Sequence, residues 1–353
     1  MLTPTHERLH GLAKAELHVH LDGSLRPATL LELAGERGVP LPAADPDRLA
    51  RAMLVSGAAS LEEYLEPFRL TLAVMQDAAG IERIAFELAE DHAAESVRYV
   101  EVRFCPGLCT RRGLTSSQVI DAALTGLARA ERELGIRTAV IVCGLRSLPP
   151  ASSLEMAELA ASYAGRGVCA FDLAGAEAGY PVADHLEALR TAEAAGLPIT
   201  IHAGEGFGPR SIRQALELGR AARIGHGTRL GEDPDLLREV REAGVVLEIC
   251  LTSNVQTRVA VSYDTHPLRA FFDAGLPVAL CTDNRLMSGV TLTREYEHAR
   301  DALGFTWKEL VDIARTGFAS AFAPQEVRDE LLEGFLSPPP GTSPRAPRTR
   351  RSP

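Results

Sequence analysis

Residues able to hold a metal ion and move protons are concentrated at a few points of this chain. Four of its ten histidines fall at the ends of short apolar runs: His18 and His20 in "HVHLDG", His202 in "IHAGEG" and His226 in "IGHG". Polar partners follow closely: Asp22 after the first pair, Glu205 after His202, and Asp283 with Asn284 in "LPVALCTDN". A lone histidine at such a place is usually a satisfied structural residue. Four of them with carboxylates alongside imply a metal or a substrate, because buried ionisable groups are costly unless something uses them. Three imidazoles and one carboxylate suit zinc, which takes nitrogen ligands and one hard oxygen without a thiolate set. The favoured ligands are His18, His20, His202 and Asp283, holding one Zn2+ per subunit. Glu205 and His226 are then left over nearby, which a structural zinc does not explain and a hydrolytic one does. Zinc brings the pKa of its bound water towards about 7. His226 would orient that water and take up its proton, and Glu205, its pKa raised by burial, would protonate the substrate where negative charge develops.

Such a cluster needs elements that bring distant segments together. Eight β-branched, apolar runs read as strands, near residues 15–20, 98–104, 138–144, 167–175, 198–204, 222–227, 245–253 and 276–284. Segments with helical spacing lie between them, such as Ile81, Ile84 and Leu88, or Ile120, Leu124 and Leu127, the latter after a "TSSQ" start signal. Strands alternating with helices imply a parallel sheet, and eight such units imply an α/β fold closed into a (β/α)8 TIM-type barrel. Active sites of such barrels lie at the carboxyl ends of the strands, where the histidines and carboxylates fall. The long interval after the first strand holds extra helices, including "SLEEYLEPFRLTLAVMQ" (60–76), placed to cover the barrel mouth. Residues 1–335 read as a single domain, and 336–353, rich in proline and arginine, as a disordered tail.

The remaining histidines read differently. His6 and His10 lie in the N-terminal lead, His92, His185 and His298 in charged helical stretches that suggest the surface, and His266 before a proline, as a loop or capping residue. Of the 353 residues, 46% are hydrophobic and 24% charged, and the net charge is −10, a composition that argues against nucleic-acid or membrane-surface partners. With no secretory leader pattern and no membrane-length apolar run, the expected location is the cytoplasm, and the six scattered cysteines read as free thiols. No glycine-rich phosphate cradle is visible.

The segments "HVHLDGSLRP", "DLAGAEAGYP", "IHAGEGFG", "IGHGTRL", "LTSNVQT" and "TDNRLMSGVTLTREY" resemble, in order, the signature segments of the adenosine deaminases of the amidohydrolase superfamily. The resemblance runs from about residue 12 to 325. It implies attack of a zinc-bound hydroxide on C6 of a 6-aminopurine nucleoside, with loss of ammonia. It supports the same four ligands, makes Glu205 the proton donor to purine N1, and makes His226 the residue that positions and deprotonates water. It also gives Gly175 a backbone contact to the purine, sets Asp22 towards the ribose, and lets His20 touch ligand as well as metal. Asn284 stands where many members have a second aspartate facing purine N7, and Leu251 where a proline is common.

Relatives with such a site act on adenine, 6-aminodeoxyfutalosine or N6-methyl-AMP, and the wall that separates them would come from the segment around residues 60–76 and nearby loops. Tyr64, Leu65 and Phe68 there have the spacing of the packed face of an amphipathic helix, the favoured reading, or else cover a ligand. The lack of a Lys/Arg cluster near the motifs disfavours a phosphorylated substrate. Two other classes stand beside deamination. A binuclear hydrolase would need a bridging lysine that "CAFDLAG" lacks, and a non-catalytic zinc protein would have no use for Glu205.

Overall fold

The computed structural model describes residues 3–55 and 66–336. Tyr64, Leu65 and the tail from 337 onward lie outside the described residues. Eight parallel strands follow one another around a single sheet: β1 (Lys14–His20), β2 (Val97–Phe104), β3 (Arg137–Leu145), β4 (Val168–Ala174), β5 (Ile199–Ala203), β6 (Arg223–His226), β7 (Val246–Ile249) and β8 (Val278–Leu280). The strands are buried on both faces, which is why they read as near-continuous apolar runs. The seam between β8 and β1 is closed by backbone bonds from His20 N to Asp283 O and from Asp283 N to His18 O, both 2.8 Å. The architecture is a (β/α)8 TIM-type barrel.

Helices between the strands bury one stripe each. In Ala78–Ala94 the stripe is Ile81, Ile84 and Leu88; in Ser116–Leu134 it includes Ile120 and Leu127. The second of these starts with a capping box between Thr115 and Gln118, which satisfies two end N–H groups reciprocally. The excursion after β1 contains Pro27–Arg37, Pro46–Met53, Phe68–Val74 and Ala78–Ala94. Phe68 and Leu72 from the short third helix face the barrel mouth.

The structure corrects several expectations. β7 ends at Ile249, and Leu251–Gln256 is a helix, so the "LTSN" segment turns over the rim instead of extending the strand. β8 is only Val278–Leu280, and Asp283 lies beyond it. His92 and His185 are buried, not on the surface. His92 continues the apolar stripe of its helix and its ring bonds the Leu88 carbonyl, while His185 bonds the Arg146 carbonyl. His298 is half-buried and stacked on Tyr263. His266 does cap, accepting the Leu268 backbone N–H at Nδ1, but it is buried. All six cysteines are free, and no helix among the described residues is long and apolar enough to cross a membrane.

Candidate active site

His18 and His20 end β1, His202 lies in β5, His226 ends β6, and Asp283 follows β8 across the seam. Barrel closure brings them to one point. One ligand atom from each of His18, His202, His226 and Asp283 lies within 4.8 Å of the others. His20 joins them, its Nε2 being 3.2 Å from His202 Nε2 and 3.4 Å from Asp283 Oδ1.

Carboxylates behind the rings fix how two of them face. Glu248 takes the Nδ1–H of His18 at 2.8 Å and Asp172 that of His202 at 3.1 Å. A carboxylate held ionised only accepts, so the Nε2 of each ring points inward as a lone pair. Burial alone would raise both carboxyls, but the charge of Arg103, shared by both, that of Arg223 on Glu248, and the ring N–H groups they accept hold them below the usual range. His18 Nε2 is buried with no hydrogen-bond partner, 3.5 Å from Asp283 Oδ1. Ser253 donates to the other oxygen, Asp283 Oδ2, at 2.6 Å. An orphaned ring nitrogen, two ring nitrogens facing each other and a free carboxylate oxygen form a donor set that fits a divalent cation such as zinc.

The backbone is strained at the same point. His226 and Asp283 have φ of 63° and 60°, a left-handed conformation that costs a non-glycine residue on the order of 1–3 kcal/mol and clusters at functional sites.

Glu205 follows β5 on a turn held from behind by Glu177. That carboxylate accepts the backbone N–H groups of Gly204, Glu205 and Gly206 at 3.0, 2.8 and 2.9 Å. The Glu205 side chain is buried, 3.6 Å from His226 Nε2. Burial first, then the negative charges of Asp283 and Glu177, push its pKa well above the ordinary carboxylate range. Burial likewise pushes Asp22 up to about 7 and holds His20 and His226 well below an ordinary imidazole.

These groups open into a cavity of about 210 Å³ walled by Phe68, Leu72, Leu108, Leu145 and Ala174, with Asp22, Gly175 and Asn284 also on its lining. Gly175 has φ of +90°, a conformation that side-chain-bearing residues rarely adopt. The nine site residues singled out in the sequence are therefore gathered around one centre, with only His18 set behind the lining. Four supporting residues were missed: Asp172, Glu177, Glu248 and Ser253. A signal existed for Asp172 and Glu248, since each is an acidic residue inside an apolar strand run, "CAFDLAG" and "VVLEIC".

The adenosine deaminase family model matches residues 13–337. The chain is 39% identical to the adenosine deaminase of Clostridium acetobutylicum over 328 residues, covering 93% of this chain and 98% of that protein. It is 41% identical to a probable adenosine deaminase of Dictyostelium discoideum, spanning 40% of that longer protein. The adenine deaminase structure from Arthrobacter aurescens superposes with a TM-score of 0.85 at 28% identity, covering 92% of this chain and 98% of that one. The N6-methyl-AMP deaminase of Arabidopsis thaliana gives 0.83 at 30%, covering 94% and 98%. With a match across almost its whole length and a barrel rim that gathers imidazoles and carboxylates, this chain belongs to the adenosine deaminase family, hydrolases that deaminate purines.

Proposed function

We propose that the chain is a zinc-dependent deaminase of 6-aminopurine nucleosides, converting adenosine and 2′-deoxyadenosine to inosine and 2′-deoxyinosine with release of ammonia. The observation that carries this reading is a buried carboxyl group, Glu205, in one cavity with the imidazole and aspartate cluster. His18, His20, His202 and Asp283 would hold the zinc, which when bound supplies a water of lowered pKa.

The rest belongs to the chain itself. Water oxygen bonds to C6, the N1–C6 π pair moves onto N1, and Glu205 gives N1 its proton. The proton that the water gives up is carried to the amino nitrogen, the C6–amino bond breaks with its electron pair leaving on ammonia, and the remaining hydroxyl proton returns to Glu205 as the C6 carbonyl forms. His226 orients the attacking oxygen. The apolar wall and the Gly175 backbone hold the purine, Asp22 faces the ribose, and Asn284 donates to N7 through its amide.

Among the described residues the cavity lining contains no lysine or arginine. That favours an uncharged nucleoside over a phosphorylated substrate of the kind named for the Arabidopsis enzyme, since a phosphate needs cationic donors. The test is ammonia release measured side by side on adenosine, 2′-deoxyadenosine, adenine, 6-aminodeoxyfutalosine and N6-methyl-AMP, with metal analysis of the same preparation. The expected order of kcat/KM puts the two nucleosides first. A higher value for any of the other three, or full turnover without zinc, overturns the reading.

A further inference from the structure

His226 differs from its neighbours in what lies behind it. Where His18 and His202 are backed by carboxylates, His226 Nδ1 faces the Asn254 amide, 3.0 Å from Nδ2. The direction of that bond is fixed from a distant and unambiguous end. The Leu268 backbone N–H can only donate, and it donates to His266 Nδ1 at 3.0 Å. The hydrogen of the buried His266 ring is therefore on Nε2, which lies 3.1 Å from Asn254 Oδ1. The Thr228 hydroxyl donates to that oxygen as well, at 2.8 Å. With its oxygen receiving two donors, Asn254 must turn its NH2 towards His226, whose Nδ1 then accepts. A neutral ring that accepts at Nδ1 carries its hydrogen on Nε2.

We propose that His266 and Asn254 are positioning residues that lock His226 in the Nε2–H form. Resting on the functional reading above, this deepens it. His18 and His202 offer lone pairs to the metal, while His226, in the same cluster, offers an N–H. It is thereby kept out of the ligand set and aimed at the attacking oxygen as a donor. This assigns His226 the orienting part of the role expected from the sequence and leaves proton uptake to a group other than this nitrogen. It also gives a second role, beside the cap it makes on the Leu268 N–H, to a buried histidine far along the chain.

The test is two-bond 1H–15N correlation NMR of the histidine-labelled protein, zinc-loaded and metal-free, with the His226 signals identified by their loss in His226→Gln. The expected pattern has Nδ1 as acceptor and Nε2 protonated in both forms. In Asn254→Asp the carboxylate can only accept, so the pattern should invert to Nδ1–H. Turnover should then fall roughly 100-fold, with KM changed only a few-fold and zinc still about one per chain. His266→Gln keeps an N–H for the Asn254 oxygen and should retain the native pattern and most of kcat, while His266→Leu should lose both. An Nδ1–H pattern in the native protein overturns the proposal, as does inversion in Asn254→Asp with kcat unaltered. Because the native spectrum is read without turnover, a protein that shows Nε2–H but deaminates nothing supports the lock and overturns only the assigned reaction.

Discussion

Two layers of charged side chains cross the interior of this barrel, one beneath the other, and they are finished differently. In the lower layer Arg223 donates to Glu248 at 2.7 Å and also bonds Glu101, while Arg103 donates to Glu248 at 2.8 Å and Asp172 at 3.2 Å. Glu101 receives the Tyr99 hydroxyl at 2.9 Å, and Glu248 receives Thr200 at 3.1 Å. Each carboxylate there is met by a cation and by neutral donors. In the upper layer His18 Nε2 has no hydrogen bond, two imidazole nitrogens face each other, and two residues hold left-handed backbone. Both layers bury groups that water would otherwise stabilise, so both are costly. In the lower one the protein itself meets each of these carboxylates, though Arg103 Nε lacks a hydrogen bond, while the upper one is completed only by something that binds. Where the chain spends its own donors marks support, and where it withholds them marks function. Glu248 and Asp172 belong to both layers, taking charge from Arg103 below and holding a ring above.

Changes in the two layers should therefore separate stability from turnover. The largest effect is expected from Asp283→Ala, which removes the carboxylate facing Nε2 of His18 and His20. Metal content should fall from about one per chain to a small fraction, and ammonia release to background, while thermal unfolding of the metal-free forms stays within about 1 kcal/mol. Full zinc occupancy in this variant would break the assignment of the upper layer.

The opposite pattern is expected from Arg223→Met. It leaves Glu101 and Glu248 buried without their shared cation and should cost about 3–5 kcal/mol in denaturant unfolding, with kcat per folded molecule little changed. Glu205→Gln completes the contrast. It should lower kcat about 100- to 10,000-fold with zinc retained and stability unaltered or slightly higher, because a buried carboxyl with a raised pKa contributes no folding energy once ionised. Unchanged turnover would remove Glu205 from the reaction.

What the sequence revealed follows from the same division. The rim residues stand at strand ends beside apolar runs, so His18, His20, His202, His226 and Asp283 could be picked out and set around a common mouth. The lower layer was hidden, because Arg103, Glu101 and Arg223 alternate with apolar residues, as an outward-facing charge would. Only closure of the barrel turns that face inward. His92 was missed for a different reason. Its charged neighbours suggested the surface, yet it extends the stripe of Ile81, Ile84 and Leu88 by one further turn. Periodicity was the better guide there, since burial in a helix depends on the face and not on local composition. The Asn254–His266 pairing had no local trace, because the bond exists only once the helix after β7 folds back over the rim.

Away from the centre, the Glu95–Arg285 pair ties the start of β2 to the turn after β8. Arg285 reaches Glu95 Oε1 at 2.7 Å, and the Thr293 N–H donates to Oε2 at 2.8 Å. Burial would raise this carboxyl, but Arg285 and His92 outweigh it and hold its pKa at about 2. The folded value lies below the unfolded one of about 4.3, so the contribution is present above that pH and is lost as pH falls towards 2. Glu95→Gln should cost on the order of 2 kcal/mol at pH 7, with the difference from the native protein shrinking steadily below pH 4. A pH-independent difference would show that the charge is not what matters.

The smallest expected effect concerns how the upper layer meets its ligand. Asn284 is seated against Gly23 so closely that a Cβ on Gly23 would come within 1.9 Å of its amide oxygen, so its position is set by the absence of a side chain opposite. Purine N7 has only a lone pair. An amide can donate to it at every pH, whereas a carboxyl donates only while protonated. Asn284→Asp keeps the shape and places a further acid on a cavity already lined by Asp22, Glu205 and Asp283. Its kcat/KM on adenosine should match the native enzyme at low pH and fall about 3- to 10-fold below it as pH rises through the new carboxyl pKa, the worth of one hydrogen bond. The same comparison on 7-deazaadenosine, which has no N7 lone pair, should show no such divergence. Parallel pH profiles on adenosine would mean that Asn284 touches something other than N7, and that the rim withholds one more donor than the reaction uses.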